Sequence, residues 1–278
     1  MLAQLGDDAK LLAGGQSLIP LMKLRFANPA HLVDLNFVAG LSSIRNDAGT
    51  LRIGAMTRHA EIEHSSTTAV IPIIHDCAAG IADVQVRNRG TIGGSIAEAD
   101  PSGDWAVVLA TLSTEVHITG SRGDRSVALS EFIRDAYTTA LAHDELVQEI
   151  SVKIPPPGSS GAYIALKRSA PVYPTASAAV QLTMEGGVCK DAAIALGCVG
   201  LMAIRPREAE SALRGQTITS KTIEAAAEAA SIASDPQTDM RGSTEYKRAL
   251  VGALVRKAID AALRRTRGEP AKVSHLYA

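Results

Sequence analysis

The sequence predicts an α+β protein of two domains, and three observations carry that prediction. The 278 residues are 46% apolar, enough for a substantial core and for more than one compact unit. Pro155-Pro156-Pro157-Gly158-Ser159-Ser160-Gly161 mixes residues that stiffen the chain with residues that release it, which is the composition of a linker. Strand-like and helix-like runs alternate before it, and three strand-like runs followed by helices lie beyond it.

Met1 to Gly6 reads as the end of a helix, with Leu2, Ala3 and Leu5 on an apolar stripe and Gly6 where a left-handed cap falls. Lys10 to Ala13 is a short apolar run that breaks into Gly14-Gly15-Gln16-Ser17 and resumes over Leu18 to Leu24, which predicts a strand, a glycine turn and a helical turn. His31 to Leu35 and Leu51 to Ala55 read as strands, with turn chemistry at Asn28-Pro29 and Asn46-Asp47-Ala48-Gly49. Residues 1–56 are therefore expected to form a small α/β unit.

Thr57 is a candidate N-cap for a helix over Arg58 to His64, and Pro72 suits the first turn of a helix ending near Gly80. A second glycine region runs from Val84 to Asp104, and Trp105 to Leu112 resumes an apolar helix that Asp104 is placed to cap. Glu115 to Thr119, Arg125 to Leu129 and Leu146 to Ile154 read as strands, so residues 57–154 are expected to be a second, mostly antiparallel unit. The linker spans 155–161, a C-terminal domain 162–268 and a tail 269–278.

In that domain Tyr163 to Lys167, Ala178 to Met184 and Ala192 to Val199 read as a three-stranded antiparallel sheet, the last two strands joined by a hairpin turn at Glu185-Gly186-Gly187. Helices follow over Arg205 to Leu213, over Lys221 to Ser231 with Ser220 as cap, and from Ser243 to about Arg265. In the last, Tyr246, Leu250 and Leu254 recur every four residues, as do Val255, Ile259 and Leu263, giving a stripe that covers the sheet.

Composition removes several function classes. The 28 basic and 29 acidic residues nearly cancel, so neither nucleic acid nor an anionic membrane surface is an expected partner. No apolar stretch approaches the roughly 20 residues of a membrane span and no signal-peptide order is visible, which predicts a cytoplasmic protein. Cys77, Cys189 and Cys198 form no C-x-x-C pair, and the seven histidines form no H-E-x-x-H, so no protein-bound metal is expected. Redox chemistry in this chain would have to come from an organic cofactor.

Two glycine loops carry the functional reading. Ala13-Gly14-Gly15-Gln16-Ser17 and Thr91-Ile92-Gly93-Gly94-Ser95 can each bring backbone N–H groups close to an anion without an intervening Cβ, and two such nests suit a diphosphate. Neither is G-x-G-x-x-G or a Walker loop, and each alone is also an ordinary tight turn.

Ala13-Gly14-Gly15-Gln16-Ser17-Leu18-Ile19-Pro20, Arg87-Asn88-Arg89-Gly90-Thr91-Ile92-Gly93-Gly94-Ser95 and Ala99-Asp100-Pro101-Ser102-Gly103-Asp104 resemble the FAD-binding medium subunits of the molybdenum hydroxylase (xanthine dehydrogenase) family, carbon monoxide dehydrogenase type. The resemblance continues through Lys167-Arg168 and Tyr173 to the terminal helices and covers nearly the whole chain. It implies a vanillyl-alcohol-oxidase (PCMH)-type FAD-binding domain followed by the family's C-terminal flavoprotein domain. It implies FAD held at pyrophosphate by Ala13, Gly14, Gly15, Gln16 and Ser17 with Leu12 and Leu18 in support, and by Thr91, Ile92, Gly93, Gly94 and Ser95. Asp104 would meet the adenosine portion, Val147 would pass near the cofactor with Glu145-Leu146, Tyr173 would cover the isoalloxazine ring, and Lys167 is a further candidate.

The same resemblance implies a small iron–sulfur subunit carrying [2Fe-2S] clusters and a large molybdopterin subunit as partners, assembled as a dimer of heterotrimers. Electrons would pass from the clusters through FAD to an external acceptor, with no catalytic side chain and no metal in this chain. A stand-alone FAD oxidoreductase and a non-redox nucleotide-binding module are the alternatives. Two departures from the family pattern stand out: its members usually begin with about one more strand and helix, so a shortened first unit is expected, and Ser169-Ala170-Pro171-Val172 replaces the commoner glycine–aspartate approach to Tyr173. Read without the resemblance, Tyr173 is a packed loop aromatic, Arg87 and Arg89 are solvated turn residues, and Arg264, Arg265 and Arg267 are a frayed basic helix end.

Overall fold

A computed structural model describes residues 2–273 and 276–277; Met1 of the expected first helix and Ser274, His275 and Ala278 of the expected tail lie outside the described residues. The chain enters through α1 (Leu2–Leu5), β1 (Ala9–Leu12), α2 (Leu18–Lys23) and β2 (His31–Asp34). β1 and β2 pair in parallel, Ala9 opposite His31, across the connection that contains the first glycine loop. Gly15 sits at φ +76°, a conformation that an L side chain disfavours, and there the chain turns from β1 into α2.

β3 (Ile44–Asp47) and β4 (Thr50–Gly54) form a hairpin, with Gly49 at φ +83° in its turn. This hairpin does not stay with β1 and β2. It joins β5 (Thr114–Gly120), β6 (Gly123–Ala128) and β9 (Leu146–Lys153) in a five-stranded antiparallel sheet of order β3-β4-β9-β5-β6. The expected division after residue 56 thus separates strands that are hydrogen-bonded to each other, Leu51 opposite Val152 and Ile53 opposite Ile150. Leu51, Ile53, Ile150 and Val152 are all fully buried on one face, and apolar alternation in β4 is satisfied by a strand about a hundred residues away.

Between β4 and β5 run α3 (His59–His64), α4 (Pro72–Gly80), α5 (Val84–Arg87), α6 (Ile92–Glu98) and α7 (Asp104–Leu109). Pro72 occupies the first turn of α4 as its fixed φ favours. Two expected caps are corrected. The Thr57 hydroxyl bonds Ser43 backbone N–H and C=O, and α3 starts later, with the Glu61 carboxylate accepting Arg58 N–H at 2.7 Å. Asp104 is the first residue of α7 and its carboxylate accepts the Tyr163 hydroxyl at 2.6 Å instead of a helix amide. A short α8 (Leu129–Phe132) and the ribbon β7 (Ile133–Asp135) with β8 (Thr138–Thr139) precede β9.

The C-terminal sheet begins sooner than expected, because β10 (Ser159–Lys167) takes the last three residues of the expected linker. Gly161 pairs with Gln181 of β11 (Ala176–Glu185), and a Cβ there would stand 2.8 Å from Val180 O. The free connection is left to the prolines and to Gly158, at φ +80°. β12 (Val188–Gly197) follows through Gly186 and Gly187, at φ +58° and +83°, the two positive values a two-residue hairpin turn requires. A fourth strand, β13 (Leu276–Tyr277), comes from the expected tail and pairs in parallel with β10, Leu166 opposite Leu276.

α9 (Arg207–Leu213), α10 (Ser220–Ala233) and α11 (Thr244–Thr266) cover one face of this sheet. Thr219, not Ser220, caps α10 by accepting from Thr222 N–H, whereas Ser243 caps α11 through Tyr246 N–H as its position predicts. Leu254, Val255, Ile259 and Leu263 form the buried stripe, and Tyr246 stands outside it, 44% exposed. Tyr163, Ala165, Ala179 and Ala195 on the opposite face join the core of α4, α7 and the five-stranded sheet. With both faces covered, β10 is buried along nearly its whole length.

Candidate functional site

The first glycine loop keeps its donors free. Among the described residues, none of the backbone N–H groups from Gly14 to Leu18 donates to a protein acceptor, and Gly14 itself is buried. The loop is held from behind by Asn36, whose side-chain amide donates to Ala13 O at 3.2 Å. A guanidinium reinforces it: Arg58 bonds the Asn36 carbonyl oxygen and the Arg89 backbone carbonyl, so one side chain ties the base of the first loop to the approach of the second. Burial and the neighbouring Arg89 guanidinium both disfavour charge on Arg58, and its pKa is lowered.

The second loop is built differently from the expected nest. Gly93 and Gly94 lie in the first turn of α6, with Thr91 as its cap. Ile92 N–H donates to Thr57 O, Gly93 N–H to Ala55 O at 2.9 Å, Gly94 N–H to Thr91 Oγ1 at 3.1 Å and Ser95 N–H to Thr91 O, so these amides are already engaged. Gly93 is small because a Cβ would stand 2.7 Å from both Cα and O of Ala55; its role is to let α6 lie against the end of β4. Thr91, Gly94 and Ser95 of this segment line the cleft.

The two loops touch. A Cβ on Gly14 would collide with Arg89 O and stand 2.8 Å from Gly90 Cα, and one on Gly94 would lie 3.6 Å from Ala13 Cβ. The seam opens into a cleft of about 320 Å³. Of the expected site residues, Ala13, Gly14, Gly15, Gln16, Ser17, Leu18, Thr91, Gly94, Ser95, Asp104, Lys167 and Tyr173 line it. Leu12, Ile92, Gly93 and Val147 do not: Leu12 packs behind Gly15, Ile92 is fully buried, and Val147 is 5% exposed in the core formed by the five-stranded sheet.

The C-terminal domain supplies the other wall. Lys167, 1% exposed at the end of β10, donates its Nζ to Gly80 O at 2.6 Å. Tyr173, 43% exposed, has its phenol pKa raised by burial and by the nearby Asp100 carboxylate, and Arg241 lies 6.0 Å from its ring centroid. Glu98, the last residue of α6, has its pKa raised by burial and then by Asp100, and adds an acid to the lining of the cleft.

Sequence reasoning missed Arg58, His59, Glu98 and Asp100. Asp100 lies within Ala99 to Asp104 but carries no motif of its own, and nothing in the sequence pairs His59 with the residue that defines it. His59 is 4% exposed, Trp105 Nε1–H donates to its Nδ1 at 3.1 Å, and burial followed by the Arg58 and Arg87 charges pushes its pKa down to about 3.

Among the described residues, the imidazole that lines the cleft is His59, whose Nδ1 is engaged and whose pKa is lowered. Among the described residues, no three His, Cys, Asp or Glu side chains converge as a metal site. Free amides on one side and hydroxyls on the other fit the anionic bridge of a dinucleotide.

Residues 1–157 match the family described as the FAD binding domain in molybdopterin dehydrogenase, and residues 161–262 match the CO dehydrogenase flavoprotein C-terminal domain. The chain is 40% identical over 268 residues to the carbon monoxide dehydrogenase medium chain of Afipia carboxidovorans, across 96% of this chain and 93% of that one. It superposes on a chain of carbon monoxide dehydrogenase from Hydrogenophaga pseudoflava with TM-score 0.92 and 42% identity, over 95% of this chain and 92% of that one. A chain of quinoline 2-oxidoreductase from Pseudomonas putida 86 gives TM-score 0.90 at 36% identity, over 95% and 92% of the two chains.

Proposed function

The chain belongs to the FAD-binding domain family of molybdopterin dehydrogenases, with the C-terminal domain of the CO dehydrogenase flavoproteins, and on that premise we propose that it is the FAD-carrying electron-transfer subunit of a molybdenum hydroxylase. The observation that carries the proposal is the contact between the two glycine loops across one cleft, with the amides of residues 14–18 unengaged. A bound flavin supplies one- and two-electron redox chemistry that no side chain here provides.

Each wall then has a task. The amides from Gly14 to Leu18 and the hydroxyls of Thr91 and Ser95 hold the diphosphate, and the bare Cα atoms of Gly14 and Gly94 let the two segments approach it together. Asp104, steadied by Tyr163, orients the adenosine portion, and Tyr173 shields the ring from water. Lys167 closes the cleft floor while its Nζ anchors β10 to the end of α4.

The partners in this reading are a small subunit with [2Fe-2S] clusters and a large subunit with the molybdopterin cofactor, in a dimer of heterotrimers. No helix among the described residues is long and apolar enough to cross a membrane. All three cysteines are free, which fits assembly in the reducing cytoplasm. The substrate is chosen outside this chain, since relatives of similar likeness include a carbon monoxide dehydrogenase and a quinoline oxidoreductase. Expression with its neighbouring genes and purification by a tag on this chain tests the proposal. The expected product has flavin absorbance, iron and molybdenum; a colourless chain that FAD cannot reconstitute would refute it.

A further inference from the structure

Trp105 and His59 form a pair whose chemistry leaves one proton in only one place. An indole nitrogen donates and cannot accept, so the 3.1 Å bond from Trp105 Nε1 to His59 Nδ1 requires a lone pair on Nδ1. The neutral ring then carries its hydrogen on Nε2. An imidazolium would set two N–H groups against each other. Burial and the guanidinium charges of Arg58 and Arg87 act against it as well, which is why the His59 pKa falls to about 3.

The Nε2 edge faces the seam of the two loops. A Cβ on Gly90 would stand 2.7 Å from His59 Nε2, and Gly90 Cα is the same atom that a Cβ on Gly14 would approach to 2.8 Å. His59 backbone N–H is bonded to Gly90 O, so the ring is fixed to the segment that forms one lip of the seam. Both residues line the cleft, and among the described residues Nε2 has no hydrogen-bond acceptor. The ring is thus a buried polar group whose Nε2 edge lies beside Gly90, the residue against which Gly14 of the first loop packs.

We propose that His59 is a further cofactor-binding residue of this chain, its Nε2–H donating to a diphosphate oxygen of FAD, with Trp105 as the positioning residue that fixes the tautomer. The inference rests on the FAD reading above. A neutral donor suits this position because it binds a phosphate oxygen without bringing a third cation beside Arg58 and Arg87.

The test uses the full chain, with binding of FAD and of riboflavin, which lacks phosphate, followed by flavin fluorescence. His59→Phe keeps a ring and removes the donor; FAD affinity is expected to fall about tenfold or more while riboflavin affinity changes less than about twofold. His59→Gln restores an N–H and is expected to recover most of the FAD affinity. Equal loss for both ligands, no loss for FAD in a variant with native thermal unfolding, or a Gln variant no better than Phe would each overturn the proposal.

A measurement on the unmutated chain covers the case in which His59→Phe does not fold. With nitrogen-labelled histidine, the His59 Nε2 resonance is expected to be that of a protonated nitrogen and to move on adding FAD or ADP but not riboflavin. A proton on Nδ1, or no response to either diphosphate, would overturn it. A wild-type chain that binds no FAD would remove the parent reading, whereas failure confined to these His59 readouts removes this inference alone.

Discussion

Tyr163, in the middle of β10 of the C-terminal sheet, donates its hydroxyl to Asp104 Oδ1 at 2.6 Å across the seam between the two domains. Both residues are buried, and burial followed by the Asp104 charge raises the phenol pKa well above its ordinary value of 10.0, so Tyr163 keeps its proton and remains a donor at neutral pH. A residue of the cleft is thereby oriented by a strand that forms no part of the glycine loops. The C-terminal domain is part of the site's construction.

Tyr163→Phe keeps the ring and removes that donor, leaving the buried Asp104 carboxylate short of a partner. The expected cost is about 1–3 kcal/mol of stability. FAD affinity should fall by about threefold or more as Asp104 loses its fixed position. Urea unfolding and flavin titration of the same variant measure both, and a variant equal to wild type in both would show that the bond carries no weight.

Arg265 joins the domains a second time. It grips Asp76 of α4 through two bonds of 2.6 and 2.9 Å and donates to Gly161 O at 2.7 Å, so the basic end of α11 is anchored and not frayed. Burial works to raise the Asp76 pKa and Arg265 opposes it. Arg265→Ala leaves that carboxylate buried and unpaired, at an expected cost of about 3–5 kcal/mol in denaturant unfolding. Arg265→Met with Asp76→Leu should recover part of the loss; a double variant as unstable as the single one would count against the pair.

Gly14 and Gly93 are small for different reasons, and alanine should separate them. At Gly14 the added methyl meets the Arg89 carbonyl and drives the free amides off position, so FAD affinity is expected to fall at least about tenfold before stability does. At Gly93 it meets Ala55 Cα and O at 2.7 Å, and the melting temperature is expected to drop with or without FAD. Overpacking of this kind costs about 1–3 kcal/mol. The reverse ordering of the two defects would contradict the roles assigned to the loops.

Glu145 carries a pH signature. Its bonds to Arg125, with help from Ala142 N–H, hold its pKa down to about 2 against an ordinary 4.5. A depressed folded-state value means that this carboxylate stabilises the protein above about 4.5 and that the contribution is lost as pH falls towards about 2. Glu145→Gln should therefore lower the melting temperature near neutral pH and flatten its decline over that acid window. An unchanged acid limb in the variant would argue against the pairing.

Local chemistry was legible in the residues themselves. Gly186-Gly187 between two apolar runs reads as a hairpin turn, Ser243 before a long periodic segment reads as a cap, and a strand that breaks into Gly14-Gly15 reads as an anion nest, because each depends on neighbours a few positions away. Other features depend on residues far along the chain. The alternation in Leu51 to Ile53 could not name Val152 and Ile150 as its partners, since period-two patterning specifies a buried face and not which strand shares it. Thr91 to Ser95 looked like a second nest until Ala55 and Thr57 were found to take its first amides.

By itself, then, the sequence determined the order of elements and the turn geometry. Tertiary structure decided which amides remain free, which acid faces the cleft and which way the His59 proton points. The physical reason is that backbone propensity acts over a few residues, whereas a hydrogen-bond donor is assigned by whatever acceptor folding brings within about 3 Å of it.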